Sequence, residues 1–270
     1  MAISFDRATA SGGGVGSSAT FSHTTSGTNR MLFVGLDIDT SRTVSSVTYG
    51  GVAMTKINTQ SSGGITCELW YLINPTVGAN NVVATFSGSG TYHVIAASYA
   101  GVRQSNQPDG QSANNTSGTS IANTITSTRD LCWHCAYAYG SGTTSAGAST
   151  TERSGSGFTY GFFDSNAAIT PAGSNTLNIN HYPTGTVFAN GAIFSPYAIE
   201  VDITDTASAT DTISYIRQIV KALTETITVT QLHILALTET VTSSDSYLRL
   251  KRKWQNLTKN ISTWINQDKS

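Results

Sequence analysis

The sequence is short of charge. Asp, Glu, Lys and Arg make up only 11% of it, against about a quarter in an ordinary globular chain, and they cancel to a formal net charge of −1. A near-neutral chain has no broad field with which to gather nucleic acid, so direct nucleic-acid binding is not expected. The polarity comes instead from Gly, Ser, Thr and Asn, mixed with many Val, Ile, Tyr and Phe. That mixture is too apolar and too uncharged for a disordered chain. Cysteine is scarce and odd in number. Cys67, Cys132 and Cys135 cannot form a disulfide framework, and a domain of about 200 residues needs none. No window of about 18 apolar residues occurs, so no membrane span is expected. The opening residues MAISFD lead straight into strand-like sequence, without a basic or an apolar leader region. This predicts synthesis in a cytoplasm with no Sec signal. Work outside a cell would then require lysis, a dedicated export route, or assembly into a particle. Beyond Pro196 there is neither glycine nor proline, which removes the usual turn chemistry from the last quarter of the chain.

What is present falls into two grammars. Residues 1–198 read as β throughout. The run MLFVGL at 31–36 is continuously apolar, as in a strand buried on both faces. Residues 44–49 and 52–57 flank Gly50 and Gly51, a hairpin signal. Further strands are expected at 18–22, 65–73, 81–86, 92–99, 120–127, 131–139, 157–163, 176–180 and 187–194. Residues 104–118 and 140–157 read as surface loops rich in Gly, Ser, Thr and Asn. Many short strands with frequent turns and no helix predict an antiparallel β-sandwich, jelly-roll-like in its strand number.

After a linker at 199–208 the pattern changes. Ile213, Ile216, Val220, Leu223, Ile227, Thr230, Ile234, Leu237, Val241, Ser244 and Leu248 follow each other at alternating three- and four-residue steps. Such spacing is the seam of a coiled coil. All are aliphatic except Thr230 and Ser244. The motif at Thr210–Ile213 returns at Thr224–Ile227 and again at Thr238–Val241, in register with the seam. A single helix cannot bury such a stripe, so residues 209–248 predict a helical stalk joining copies of the chain. Small polar residues at two seam positions suit the wider core of a trimer. The alternative is a fibrous β-shaft, because residues 224–230 also alternate with period two.

Residues 249–270 gather Arg249, Lys251, Arg252 and Lys253 beside an apolar stripe of Trp254, Leu257, Ile261 and Trp264. This reads as a basic amphipathic helix, with docking onto a partner protein preferred over a membrane surface or nucleic acid.

Chemical motifs are weak. Cys132 and Cys135 have zinc-like spacing with His134 between them, but a structural zinc needs four ligands. All three cysteines are therefore expected to be buried free thiols. His23, His93, His134, His181 and His233 show no metal-ligand spacing and read as structural or surface residues. Asp37 and Asp39 lie on one strand face and are expected at a solvent-facing strand end. Glu68, Glu152 and Asp164 are the carboxylates a glycosidase would need, yet nothing in the sequence pairs them. Gly12, Gly13, Gly14 and Gly16 precede no helix and are no phosphate loop. No catalytic, metal or cofactor site is expected. Aromatics in or beside strands (Trp70, Tyr71, Tyr92, Tyr99, Trp133, Tyr137, Tyr139, Tyr160, Tyr182) should mostly be core. Tyr182, beside Pro183, and the amide-rich loop at 104–115 are the positions most open to glycan contact.

Residues 44–55 (VSSVTYGGVAMT), 68–75 (ELWYLINP), 78–83 (GANNVV), 164–166 (DSN) and 171–174 (PAGS) together resemble Gly/Ser/Thr-rich β-sandwich domains of phage structural proteins and bacterial surface proteins. The Thr-acid-Thr-Ile repeats resemble the tails that follow such domains. The resemblance covers most of 1–250 and brings no catalytic motif. It implies a virion structural protein, in a capsid decoration, a fibre or a tail, assembling with itself and with other virion proteins. A carbohydrate- or receptor-binding adhesin at a cell surface is the alternative.

Overall fold

The computed structural model describes residues 2–155 and 157–197. The linker at 199–208, the seam from Ile213 to Leu248 and the basic segment at 249–270 lie outside the described residues. Among the described residues every regular element is a strand: β1 (Ser4–Thr25), β2 (Met31–Asp39), β3 (Val44–Tyr49), β4 (Val52–Ala53), β5 (Thr55–Ser62), β6 (Ile65–Ile73), β7 (Gly78–Ala100), β8 (Gly110–Thr126), β9 (Trp133–Gly140), β10 (Thr143–Ala146), β11 (Thr151–Ser154), β12 (Tyr160–Asp164) and β13 (Ser174–Phe194). They form two antiparallel sheets. The first runs β4-β3-β7-β2-β6-β5 with β1 on β7, and the second runs β10-β13-β9-β12-β11 with β8 on β13.

These two orders are one order. Replacing β1, β2, β3, β5, β6 and β7 by β8, β9, β10, β11, β12 and β13 converts the first sheet into the second, leaving only the two-residue β4 without a counterpart. Register agrees with topology. Met31 pairs with Tyr99 and Gly35 with Leu69 in the first half; Trp133 pairs with Phe194 and Tyr137 with Phe162 in the second. Left-handed residues recur at the same joints, Asn29 and Leu131 before β2 and β9, Asn74 and Asn166 after β6 and β12. The β domain is thus a tandem repeat of one β fold, although none of the residue pairs Met31/Trp133, Gly35/Tyr137, Leu69/Phe162 and Tyr99/Phe194 is conserved between halves.

Each half bends its long strands over its own core. In the first, Ala19, Val34, Leu36, Val47, Trp70, Val82, Ala84 and Val94 are buried together. Their register counterparts Ile121, Ala136, Ala138, Ala146, Phe163, Leu177, Ile179 and Ala189 pack together in the second. A third core lies between the halves, with Met31, Phe33, Leu69, Ala97 and Tyr99 against Trp133, Cys135, Tyr137, Phe162 and Phe194. This explains the continuous apolar run of β2, whose odd-numbered positions face the other half and whose even-numbered ones face their own core. Burying such a side chain contributes about 1.5–3 kcal/mol. The contact is nearly self-complementary, as in a two-fold dimer. Tyr99 packs on its counterpart Phe194 at 4.8 Å, and Gly35 meets its counterpart Tyr137, where any Cβ at position 35 would overlap the ring.

Several expectations need correction. The strand expected at 18–22 is much longer: β1 begins at Ser4, as the strand-like opening of the chain implied, and absorbs its glycines as bulges near Ala10–Gly13 and Gly16–Ser18. Gly14 lies where a Cβ would overlap the Tyr92 ring, so glycine lets two strands approach. The strands expected at 81–86 and 92–99 are one, β7, as are those at 176–180 and 187–194, in β13. The loop expected at 104–118 becomes β8 from Gly110, and the loop at 140–157 holds β10 and β11. Ladder pairing with a long neighbour orders these polar stretches, and their composition does not announce it. The hairpin at Gly50 and Gly51 forms with both glycines at positive φ, but it pairs only two residues before the chain leaves as β5.

Candidate functional site

The contact between the halves gathers the domain's most unusual polar groups. Asp37 on β2 is buried, not solvent-facing as expected. Its strand position carries it onto the face of Phe33 and Gly35, toward the second half. There it accepts a hydrogen bond from the Tyr137 hydroxyl on β9 and bonds His93 Nδ1 on β7 at 2.9 Å. Burial raises the Asp37 pKa, opposed chiefly by the bond to His93. The mirror arrangement lies at Asp164 on β12. It accepts from the Tyr99 hydroxyl at 2.8 Å, from Arg153 Nε at 2.7 Å and from the Asn166 amide at 2.9 Å. A tyrosine of each half thus donates to a carboxylate of the other. Burial, with Asp164 or Asp37 alongside, pushes both phenols well above their ordinary range.

From Asp37 a column of rings leads outward. His93 stacks on Tyr160 at 4.2 Å and lies 6.2 Å from Tyr139. Tyr160 stacks on Phe158 at 5.7 Å, and Phe158 is 57% exposed. Ring by ring, this path connects a buried polar group of the core to an exposed side chain. An Asp–His pair with an exposed aromatic invites comparison with hydrolase sites. Such a site needs a nucleophile on the far ring nitrogen. His93 Nε2 lies instead beside Gly13, 3.1 Å from where a Cβ at that position would sit.

The other carboxylates do not converge. Glu68 is buried on the opposite face of the first half and is held by Lys56 Nζ at 2.7 Å and Trp70 Nε1 at 2.8 Å. Glu152 faces the same side as Phe163, its cross-strand partner, whereas Asp164 takes the other face. The two acids are neighbours on adjacent strands and still cannot flank one bond. A Ser–His contact lies at His23, whose Nε2 is 3.0 Å from Ser98 Oγ. Here Asp6 bonds the serine at 2.8 Å rather than the histidine, and Ser98 is fully buried, so the arrangement ties β1 to β7.

Cys67, Cys132 and Cys135 are buried free thiols, as expected. Burial lifts Cys67 and Cys135 well above the ordinary thiol range and Cys132 to about 12, helped by Asp109. Thiols held protonated are poor nucleophiles. Among the described residues no group of three or more potential metal ligands converges. His134 is buried between Asn123 and Asn175, at 3.0 and 2.9 Å, and His181 bonds the Gly142 amide at 2.8 Å.

Of the aromatics named from sequence, Trp70, Tyr99, Trp133, Tyr137 and Tyr160 are buried, while Tyr182 is 76% exposed. Sequence reasoning missed Phe158. The Gly-Ser-Gly segment before it reads only as loop, and nothing local signals an exposed ring. No protein-family model, curated protein or solved structure matches the chain.

Proposed function

We propose that the chain is a structural component of a virion, whether capsid decoration, fibre or tail-associated, that displays a rigid double β domain on a self-associating C-terminal stripe. The two sheets together are in this reading one jelly-roll-like sandwich over residues 1–198. The observation that carries the proposal is the use made of the buried carboxylates. Asp37, Glu68 and Asp164 are all committed to internal partners, and two of them bond the halves together. Polar groups spent this way fix a scaffold. The near-neutral Ser/Thr/Gly surface, the resemblance to phage structural domains and the seam of aliphatic residues from Ile213 to Leu248 support the same reading. The basic segment from Arg249 to Trp264 would then dock on the particle, and the seam would make a trimer.

Sedimentation velocity of the full chain at micromolar concentration tests this. A trimer that dissociates in an Ile227→Glu, Leu237→Glu double variant is expected. A wild-type monomer would overturn the proposal.

A second reading is recognition of a glycan or a receptor by the β domain. The exposure of Tyr182 favours it, since a ring left in water is rare in a domain that buries most others. A glycan array probed with the full chain is the direct check, and a blank array removes this reading while leaving the structural one intact.

A further inference from the structure

Phe158 and Tyr182 are the exposed large aromatics among the described residues; the other exposed large apolar side chains are Val15, Val52 and Val77. The two rings come from separate segments, yet β10 brings them to one rim. Thr143 of β10 pairs with Tyr182 and donates its hydroxyl to the Tyr182 carbonyl at 3.2 Å. The next residue, Thr144, donates its amide to the Phe158 carbonyl at 2.8 Å. One segment therefore lies on each side of β10, and two strand spacings of about 4.8 Å separate their backbones by roughly 10 Å.

The side chains share an outer face. Directly paired residues of an antiparallel ladder project to the same side. Thr143 and Tyr182 are exposed while the next pair, Thr144 and His181, is buried. Phe158 lies two positions before Tyr160 and stacks on it, away from the core of its own half. Neither ring stands on a loose support. Phe158 rests on the column that ends at His93, and Gly142 lets the chain at Tyr182 and Pro183 approach so closely that any Cβ would overlap its backbone.

The segments that carry the two rings are uncharged. Residues 140–151, 155–163 and 177–194 contain no Asp, Glu, Lys or Arg. His181 is buried with both ring nitrogens engaged, by the Gly142 amide and the Gly118 carbonyl. Exposed Ser141, Thr143, Ser145 and Thr184 lie on the same segments. We propose that the Phe158–Tyr182 rim binds a neutral oligosaccharide. The apolar faces of two sugar rings of one chain would stack on the two side chains, with the hydroxyls of Ser141, Thr143 and Thr184 meeting the sugar hydroxyls. A fully apolar partner surface would leave those hydroxyls unpaired, and these three segments offer an anionic or cationic chain no counter-charge of their own. This site deepens the recognition reading above and rests on it.

The test starts from the full chain on an array of neutral and acidic glycans. The strongest neutral oligosaccharide is then titrated calorimetrically against wild type, Phe158→Ala, Tyr182→Ala, the double variant, Tyr182→Phe and a Val52→Ala control. Each alanine variant should weaken binding about tenfold or more, and the double variant should abolish it. Tyr182→Phe, which keeps the ring, should stay within about threefold of wild type. Val52→Ala should bind as wild type does, and all variants should keep the wild-type denaturation midpoint. Neutral binding that survives the double variant overturns this site and spares the recognition reading. A blank array, or binding to acidic glycans alone, overturns the site. A double variant that changes the oligomeric state without changing glycan binding shows a protein contact instead and also overturns it.

Discussion

The two halves of the β domain share their strand order and differ in what fills equivalent positions. In the first half His23 and Ser98 bond each other between β1 and β7, with Thr9 and Asp6 completing the set. The register counterparts in the second half are Ile125 and Ile193, which pack with Cys132 and Ile169 as a small apolar cluster. The exchange also runs the other way. His134 in the second half is held by Asn123 and Asn175, where the first half has Leu32 and Phe21, part of an apolar core. One ladder therefore tolerates either a satisfied polar group or an aliphatic contact at the same place. The fold asks for volume and for polar groups that are paired, and leaves the residue type open.

The largest expected effect compares the two cross-sheet carboxylates. Asp164→Ala strands the Arg153 guanidinium and the Tyr99 hydroxyl and should cost about 3–5 kcal/mol, read as a lower denaturant midpoint at unchanged slope. Asp37→Ala strands His93 and Tyr137 and should cost less, because no permanent cation is left behind. Equal losses would break the distinction.

Acid should weaken both halves in parallel. Burial lowers the pKa of His23 and of His134 from 6.5 to about 4, so between those values the unfolded chain binds more protons than the folded one. Stability is then whole above pH 6.5 and falls as pH drops toward 4, by up to about 3 kcal/mol for each histidine. Asp37 acts with the opposite sign, since its raised pKa favours the folded state in acid. Thermal melts from pH 7 to pH 4 measure the sum. Replacing His23 and Ser98 by the isoleucines of the other half should remove the first half's share of the slope, and an unchanged slope would contradict the assignment.

Gly35→Ala probes the contact between halves. The new Cβ overlaps Tyr137, and overpacking of this kind costs about 2–3 kcal/mol. Gly173→Ala, into open space, is the control and should leave the midpoint nearly unchanged. His134→Leu alone orphans Asn123 and Asn175 and should cost about 2 kcal/mol. Adding Asn123→Phe, which completes the first half's apolar set, should recover a good part of that; no recovery would mean that the halves do not exchange side chains freely. Tyr182→Ala should change stability least, by under about 0.5 kcal/mol, because its side chain is largely exposed.

The strands with strong alternation or continuous apolar runs were legible from sequence. The span at 65–73 coincides with β6, and 31–36 falls inside β2, where the doubly buried reading is right. The cysteines were legible too, since an odd number of thiols in strand-like sequence has few uses. The Gly/Ser/Thr/Asn stretches were not. Residues 4–17 and 110–119 carry no periodicity, and they are strands because β7 and β13 present long unpaired edges to them. The repeat of the whole fold was also hidden. Leu32 against His134 and Gly35 against Tyr137 share position without sharing chemistry, so no local comparison could align them. The Asp37–His93 pair and the Phe158 column had no sequence signal, as Asp37 and Tyr160 each meet His93 from more than fifty positions away.

By itself the sequence determined a near-neutral, β-rich chain with buried thiols and an aliphatic stripe beyond residue 212, because charge, cysteine parity and side-chain period are properties of the chain in order. Only the tertiary structure decided that the β domain is one fold used twice, that Asp37 is buried, and that Phe158 and Tyr182 share a rim. Those depend on which strand edges find each other, and hydrogen-bonded pairing across a hundred residues follows from packing, which no local pattern records.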